Sequence, residues 1–156
     1  TISRSFEIKG FKSGAVRMAL AADVPIITVT QWGAQRVWTK GQPKNLFRPK
    51  VPILMEVGEP MKAYEPVAEC TEDLRARMQA TLERLQDEYV ERYGPYPPGA
   101  SWVPARLGGS APTLEEATAL DEAEHAERMR RRAQKAADPD ADVSDAPSGP
   151  AGPDAP

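Results

Sequence analysis

Cysteine and histidine are nearly missing from this chain of 156 residues, with Cys70 and His125 the single instance of each. One cysteine excludes an internal disulfide and suits a reducing compartment, so Cys70 reads as an ordinary thiol. One histidine leaves little basis for histidine chemistry. His125 lies among charges, with Met129 rather than a second ligand type one helical turn on and Arg130 rather than an aspartate five residues on, so no metal site is expected. No uninterrupted apolar run approaches the roughly 18 residues that a membrane-spanning helix needs, and no signal peptide is visible. Large apolar residues thin out towards the C-terminal side, and ten of the 16 prolines and six of the 11 glycines lie in residues 94–156. The usable core therefore lies within residues 1–93.

Charge is present, but unevenly. Residues 1–62 carry ten Lys/Arg against four Asp/Glu, and the remainder ten against nineteen, so a balance of +6 precedes one of −9 within the net −3. A basic surface concentrates anionic partners such as phosphorylated substrates, coenzyme A or acidic headgroups. A solvated charged face is the plain alternative.

The organising stretch is Phe11 to Gln35, FKSGAVRMALAADVPIITVTQWGAQ. Ser13 is positioned to cap a short helix whose Ala15, Met18, Ala19 and Ala22 recur at helical spacing. Pro25 stops it and biases the chain towards a strand over Ile26–Thr30. That strand is rich in β-branched residues and does not alternate with polar ones. Such a run predicts a strand covered on both faces, as in a parallel sheet, and hence half of a βαβ crossover. Gly10-Phe11-Lys12-Ser13 is not a nucleotide P-loop, because Phe11 stands where glycine must precede the lysine and Arg4-Ser5 fill the earlier positions. Lys12 near a helix start remains suited to an anion.

These residues resemble the glycerophospholipid acyltransferase family, and lysophosphatidic acid acyltransferases in particular. Thr1-Ile2-Ser3-Arg4 is similar to the end of the family's third block, Phe-Pro-Glu-Gly-Thr-Arg-Ser, and Val24-Pro25-Ile26-Ile27-Thr28-Val29 to its fourth, Val-Pro-Ile/Val-x-Pro-Val. Between them Phe11-Lys12-Ser13-Gly14-Ala15 matches Phe-Lys-x-Gly-Ala, and Trp32-Gly33 and Gly58-Glu59-Pro60 fit the same alignment. The resemblance implies transfer of an acyl group from acyl-CoA or acyl carrier protein to lysophosphatidate, giving phosphatidate, at the cytoplasmic face of the plasma membrane. It implies no cofactor, and it places Thr1, Ser3, Arg4 and Lys12 on the substrate phosphate, the last two because Ile2 stands where the family has arginine. The family's catalytic His-x4-Asp block would precede the third block. The chain starts at Thr1, so the resemblance implies the C-terminal portion of a longer enzyme, with no catalytic residue among those given.

Onward, Arg36–Lys50 interleaves Arg36, Lys40, Lys44, Arg48 and Lys50 with Trp38 and Phe47. Three readings stay open: an anionic membrane surface, a single-stranded nucleic acid, and a tryptophan covering the core edge. Of the macromolecular partners, the membrane is expected and nucleic acid is not. Val51–Val57 predicts a second strand. Thr71, followed by Glu72 and Asp73, predicts the start of a long helix with a stripe of Leu74, Met78, Leu82, Leu85, Tyr89 and Tyr93, ended by Gly94-Pro95. Residues 94–112 read as a Pro/Gly-rich arm lying on the domain or on membrane. A capping box at Thr113/Glu116 opens a charged helix over 113–137 with little apolar backing. The composition of 138–156 is that of a disordered tail. The expected fold class is α/β: a partial acyltransferase-type sheet with flanking helices over 1–93, then the arm, a C-terminal helix and the tail. The alternative function is a non-catalytic anionic-lipid or phosphate-binding module.

Overall fold

The computed structural model describes residues 3–38 and 50–137. Thr1, the segment 39–49 with its Lys40, Lys44, Phe47 and Arg48, and the tail 138–156 lie outside the described residues. The elements in chain order are α1 (Gly14–Ala22), β1 (Val29–Trp32), a 3-10 turn (Ala34–Arg36), β2 (Leu54–Val57), α2 (Val67–Tyr93), a second 3-10 turn (Ala105–Leu107) and α3 (Leu114–Ala137). The chain divides into two compact units, Thr1–Ala117 and Thr118–Pro156. No described helix is long and apolar enough to cross a membrane.

Mixed α and β structure is as expected, but the sheet differs. Among the described residues it has two strands, paired antiparallel with Val29 opposite Val57 and Trp32 opposite Leu54. The expectations of a parallel sheet, of half a βαβ crossover and of a strand covered on both faces are corrected. Burial alternates along β1, with Thr30 and Trp32 inward and Val29 and Gln31 exposed, which is the signature of a sheet packed on one face only. Thr28 and Thr30 supplied the alternation, but as β-branched residues they read as part of an apolar run. Ile26 joins the ribbon through an isolated bridge to Met61, with both backbone hydrogen bonds at 2.8 Å.

The inward face lies on α2, whose stripe buries Leu74, Leu82, Leu85 and Tyr89, leaves Met78 half-buried and exposes Tyr93. Fully burying a Leu-sized side chain stabilises by about 1.5–3 kcal/mol. Two clusters result. One joins Val16 and Ala19 of α1 to Met61, Ala63, Cys70 and Leu74; the other joins Trp32 and Leu54 to Leu82, Leu85 and Tyr89, with Phe6, Ile8, Tyr96 and Trp102 packed around it. α1 therefore presents Val16 and Ala19, while Ala15, Met18 and Ala22 of the anticipated stripe are exposed. Ser13 makes no side-chain cap; its hydroxyl accepts from Arg17 Nε instead (3.1 Å).

α2 starts at Val67, four residues before the anticipated Thr71. Pro66, extended at the N-cap, is compatible with the start of a helix because its missing N–H is not needed there. The Thr71 hydroxyl donates to Val67 O (2.7 Å), one turn back inside the helix, rather than capping it. Within residues 94–112, Tyr96 stacks on Tyr89 and meets Trp32 edge-on, Trp102 packs at an angle against Trp32 and Tyr89, and Val103 is fully buried. Gly109 lies so close to Val103 that a Cβ would fall 1.9 Å from its carbonyl oxygen, so this bend accepts no other residue. The capping box forms as expected: Glu116 N donates to Thr113 Oγ1 (3.2 Å) and Thr113 N to Glu116 Oε2 (2.8 Å).

Candidate functional site

The segment from Ser3 to Lys12 crosses the mouth of the sheet–helix sandwich, held by its own hydroxyls and by α2. Ser3 and Ser5 share a hydrogen bond at 2.7 Å, Ser5 is completely buried, and Phe6 takes a left-handed φ of 56° as the chain turns. Ile8 N donates to Gln79 Oε1 on α2 (3.4 Å), and Glu7 pairs with Arg106 (3.4 Å). These contacts leave a cavity on each side of the segment.

The first cavity, of about 610 Å³, is lined by Ser3, Glu7, Ile8, Lys9, Gly10, Phe11, Lys12 and Met78. Two ammonium groups and a hydroxyl on one rim are suited to a phosphate; Glu7 also lines it, with its charge answered by Arg106. The second, of about 540 Å³, shares Ser3, Glu7 and Ile8; Gln31 and Gln35 add polar groups, and the rest of its lining is apolar, with Phe6, Trp32, Val37, Trp38, Ile53 and Leu82 among it. Both volumes lie within the range that takes a small molecule. Trp32 owes its place to Gly33, whose φ of 105° and approach to Pro52 (a Cβ would sit 2.3 Å from its carbonyl oxygen) no side chain tolerates. Gln35 fastens the turn after it, accepting from Gly33 N (2.9 Å) and donating to Trp102 O (3.4 Å).

Of the residues expected to hold a phosphate, the structure brings Ser3 and Lys12 onto one cavity. Arg4 is half-buried and lines neither cavity. Thr1 lies outside the described residues. Sequence reasoning missed Lys9, Glu7 and Met78; Lys9 carried no signal beyond the basic count, and Met78 was read as core.

Beside these cavities the 3-10 turn places Arg36 over Trp102, 4.6 Å from the ring centroid, with NH1 donating to Tyr89 Oη at 2.6 Å. Arg36 thus braces the aromatic cluster, whereas Trp38, which one reading of this loop set over the core edge, is half-exposed. Burial pushes the Tyr96 phenol up to about 12, and its hydroxyl donates to Gln86 O (2.8 Å). Tyr64, on the surface, is raised to about 12 by donating to Asp73 (2.5 Å).

No described group is arranged as an activated nucleophile or base. Ser3 faces Ser5 rather than a histidine or carboxylate, and His125 is exposed on α3. No cluster of three or more potential metal ligands occurs among the described residues. No protein-family model matches the chain, and no curated protein or solved structure shows significant similarity to it.

Proposed function

We propose that this chain is the acceptor-binding portion of a lysophosphatidic acid acyltransferase, which moves an acyl group from acyl-CoA or acyl carrier protein to lysophosphatidate at the cytoplasmic face of the membrane. The observation that carries this reading is that Ser3, matched to the third block, and Lys12, matched to the Phe-Lys-x-Gly-Ala segment after it, line one cavity. Lys12 and Ser3 would hold the phosphate, with Lys9 adding charge. In the complete enzyme a histidine supplied by the upstream block would take the proton from the acceptor hydroxyl, oriented by its aspartate. Donors preorganised on the substrate phosphate would fix that hydroxyl in place.

Two assays test the proposal. Titrating the chain with lysophosphatidate and, separately, with the matching monoacylglycerol is expected to show binding that needs the phosphate. Equal binding of both lipids overturns it. With acyl-CoA and lysophosphatidate present, this chain by itself is expected to release no thiol above the enzyme-free rate. Thiol release that disappears on His125→Ala would place the base in α3 and contradict the assignment. Phosphate-dependent binding by a full-length protein devoid of acyl transfer would favour the second reading, an anionic-lipid or phosphate-binding module.

A further inference from the structure

The cavity read as a phosphate site has a carboxylate in its wall, and a cation from a distant segment answers it. Glu7 lines the cavity of about 610 Å³ with Ser3, Lys9 and Lys12, and it lines the second cavity as well. A carboxylate so placed opposes any anion that enters, because like charges a few ångströms apart repel strongly where part of the water between them is displaced. Its partner is Arg106, whose Nε lies 3.4 Å from Glu7 Oε1, with the two side chains 35% and 22% exposed. The same guanidinium donates through NH2 to Oε1 of Gln86, a side chain buried on α2. The backbone beneath it is fixed too. Val103 and Pro104 are fully buried, the 3-10 turn Ala105–Leu107 carries Arg106, and Gly108 closes the turn with a left-handed φ of 78°.

We propose that Arg106 is a positioning residue that sets the charge preference of the Ser3–Lys12 cavity: it holds the Glu7 carboxylate and cancels its charge, so that Lys12 meets a phosphate without an opposing acid on the same wall. This rests on the reading of that cavity as a phosphate site. It adds a determinant from the segment 94–112, which the sequence places only as an arm on the domain or on membrane. Arginine suits the task, since its planar fork offers Nε and NH2 to two acceptors at once, Glu7 on one side and Gln86 on the other. The two partners of such a pair are not equivalent to the cavity. Removing Arg106 alone leaves a partly buried carboxylate uncompensated, whereas removing both charges leaves the wall as neutral as before. A freed Glu7 would also attract an ammonium group, which moves the preference from a bare phosphate towards a zwitterionic phosphoethanolamine headgroup.

The test is a double-mutant cycle on the whole chain, titrated with lysophosphatidate and lysophosphatidylethanolamine, and with inorganic phosphate followed by phosphorus NMR. Arg106→Gln is expected to weaken lysophosphatidate about tenfold and to narrow its margin over lysophosphatidylethanolamine. Glu7→Gln, which leaves the Arg106–Gln86 contact in place, is expected to tighten lysophosphatidate several-fold. The double variant is expected to return to within about threefold of the unaltered chain, because the charge of the wall is restored. An Arg106 that only supports Gln86 gives another pattern: the double variant stays as weak as Arg106→Gln, and that result overturns the proposal. If Arg106→Gln does not fold, Glu7→Gln decides alone, since tighter binding supports the proposal and weaker binding overturns it. Phosphate-dependent lysophosphatidate binding that is equal in all three variants refutes the role of Arg106 and leaves the proposed function standing. Inorganic phosphate binding that follows the cycle in a chain indifferent to lysophosphatidate supports Arg106 and refutes the lipid reading. A chain that binds none of the three overturns both.

Discussion

The two faces of one short ribbon have different surroundings. Inward, Thr30, Trp32, Leu54 and Glu56 lie against α2, and Trp32 is almost wholly buried. Outward, Val29, Met55 and Val57 are the more apolar set yet more than half exposed. Hydrophobicity alone does not tell these sets apart; the partner on each side does. A side chain contributes to stability where something packs on it, and the same type of residue left uncovered is available for binding.

The largest expected difference is between Trp32→Ala and any outward substitution. Removing the indole empties the centre of the second cluster and costs about 3–5 kcal/mol, measured as the shift in denaturant midpoint at constant slope. A loss below about 1 kcal/mol would mean that Trp32 is dispensable to the core. Next comes Gly33→Ala, which leaves Trp32 in place and attacks the turn behind it. Its left-handed φ and the Pro52 carbonyl together predict a loss of about 1–3 kcal/mol, with the Trp32 fluorescence altered as its pocket shifts. A neutral result would show that the turn relaxes.

That turn also shows how far the sequence was readable. The Trp32-Gly33 pair was visible, but through the resemblance and beyond the end of the expected strand; in the fold Trp32 is the last residue of β1 and, among the described residues, the largest fully buried side chain. Local spacing gave α1, α2, the capping box at Thr113 and the end of α2 at Gly94, because caps, prolines and periodic apolar residues act within a few positions of themselves. It misplaced the start of α2, since Pro66 and a back-bonded Thr71 look alike from composition. Sheet direction was not legible, because pairing depends on a partner more than twenty residues away. Of the candidate cavity's lining, Lys12 and Ser3 were proposed through the resemblance to a family, whereas Met78 comes from α2, some seventy residues along the chain, which local spacing does not bring together with them.

Alkali offers a subtler probe of the inner face. Burial raises the Tyr96 phenol from 10.0 to about 12. The neutral form is therefore favoured in the folded state, and the stability it brings is complete below about pH 10 and lost as pH rises from there to about 12. Stability is expected to fall across that window, and Tyr96→Phe is expected to flatten the fall. An unchanged slope in the variant would place the titration elsewhere, with Tyr64 the next candidate. The smallest effect belongs to the outward face: Val57→Thr is expected to change stability by no more than about 0.5 kcal/mol. A larger loss would show that this face is covered after all.

The central proposal is that the Ser3–Lys12 cavity recognises a lipid phosphate, and a titration with lysophosphatidate tests it most directly. A charge-assisted contact is worth about 1.5–3 kcal/mol, so Lys12→Ala is expected to weaken binding roughly 10- to 150-fold while leaving the melting temperature unchanged. Ser3→Ala should cost less, near 1 kcal/mol for a neutral hydroxyl, and Arg4→Ala, off the cavity wall, less than Lys12→Ala. Affinity for lysophosphatidate that is the same in Lys12→Ala as in the unaltered chain would contradict the claim.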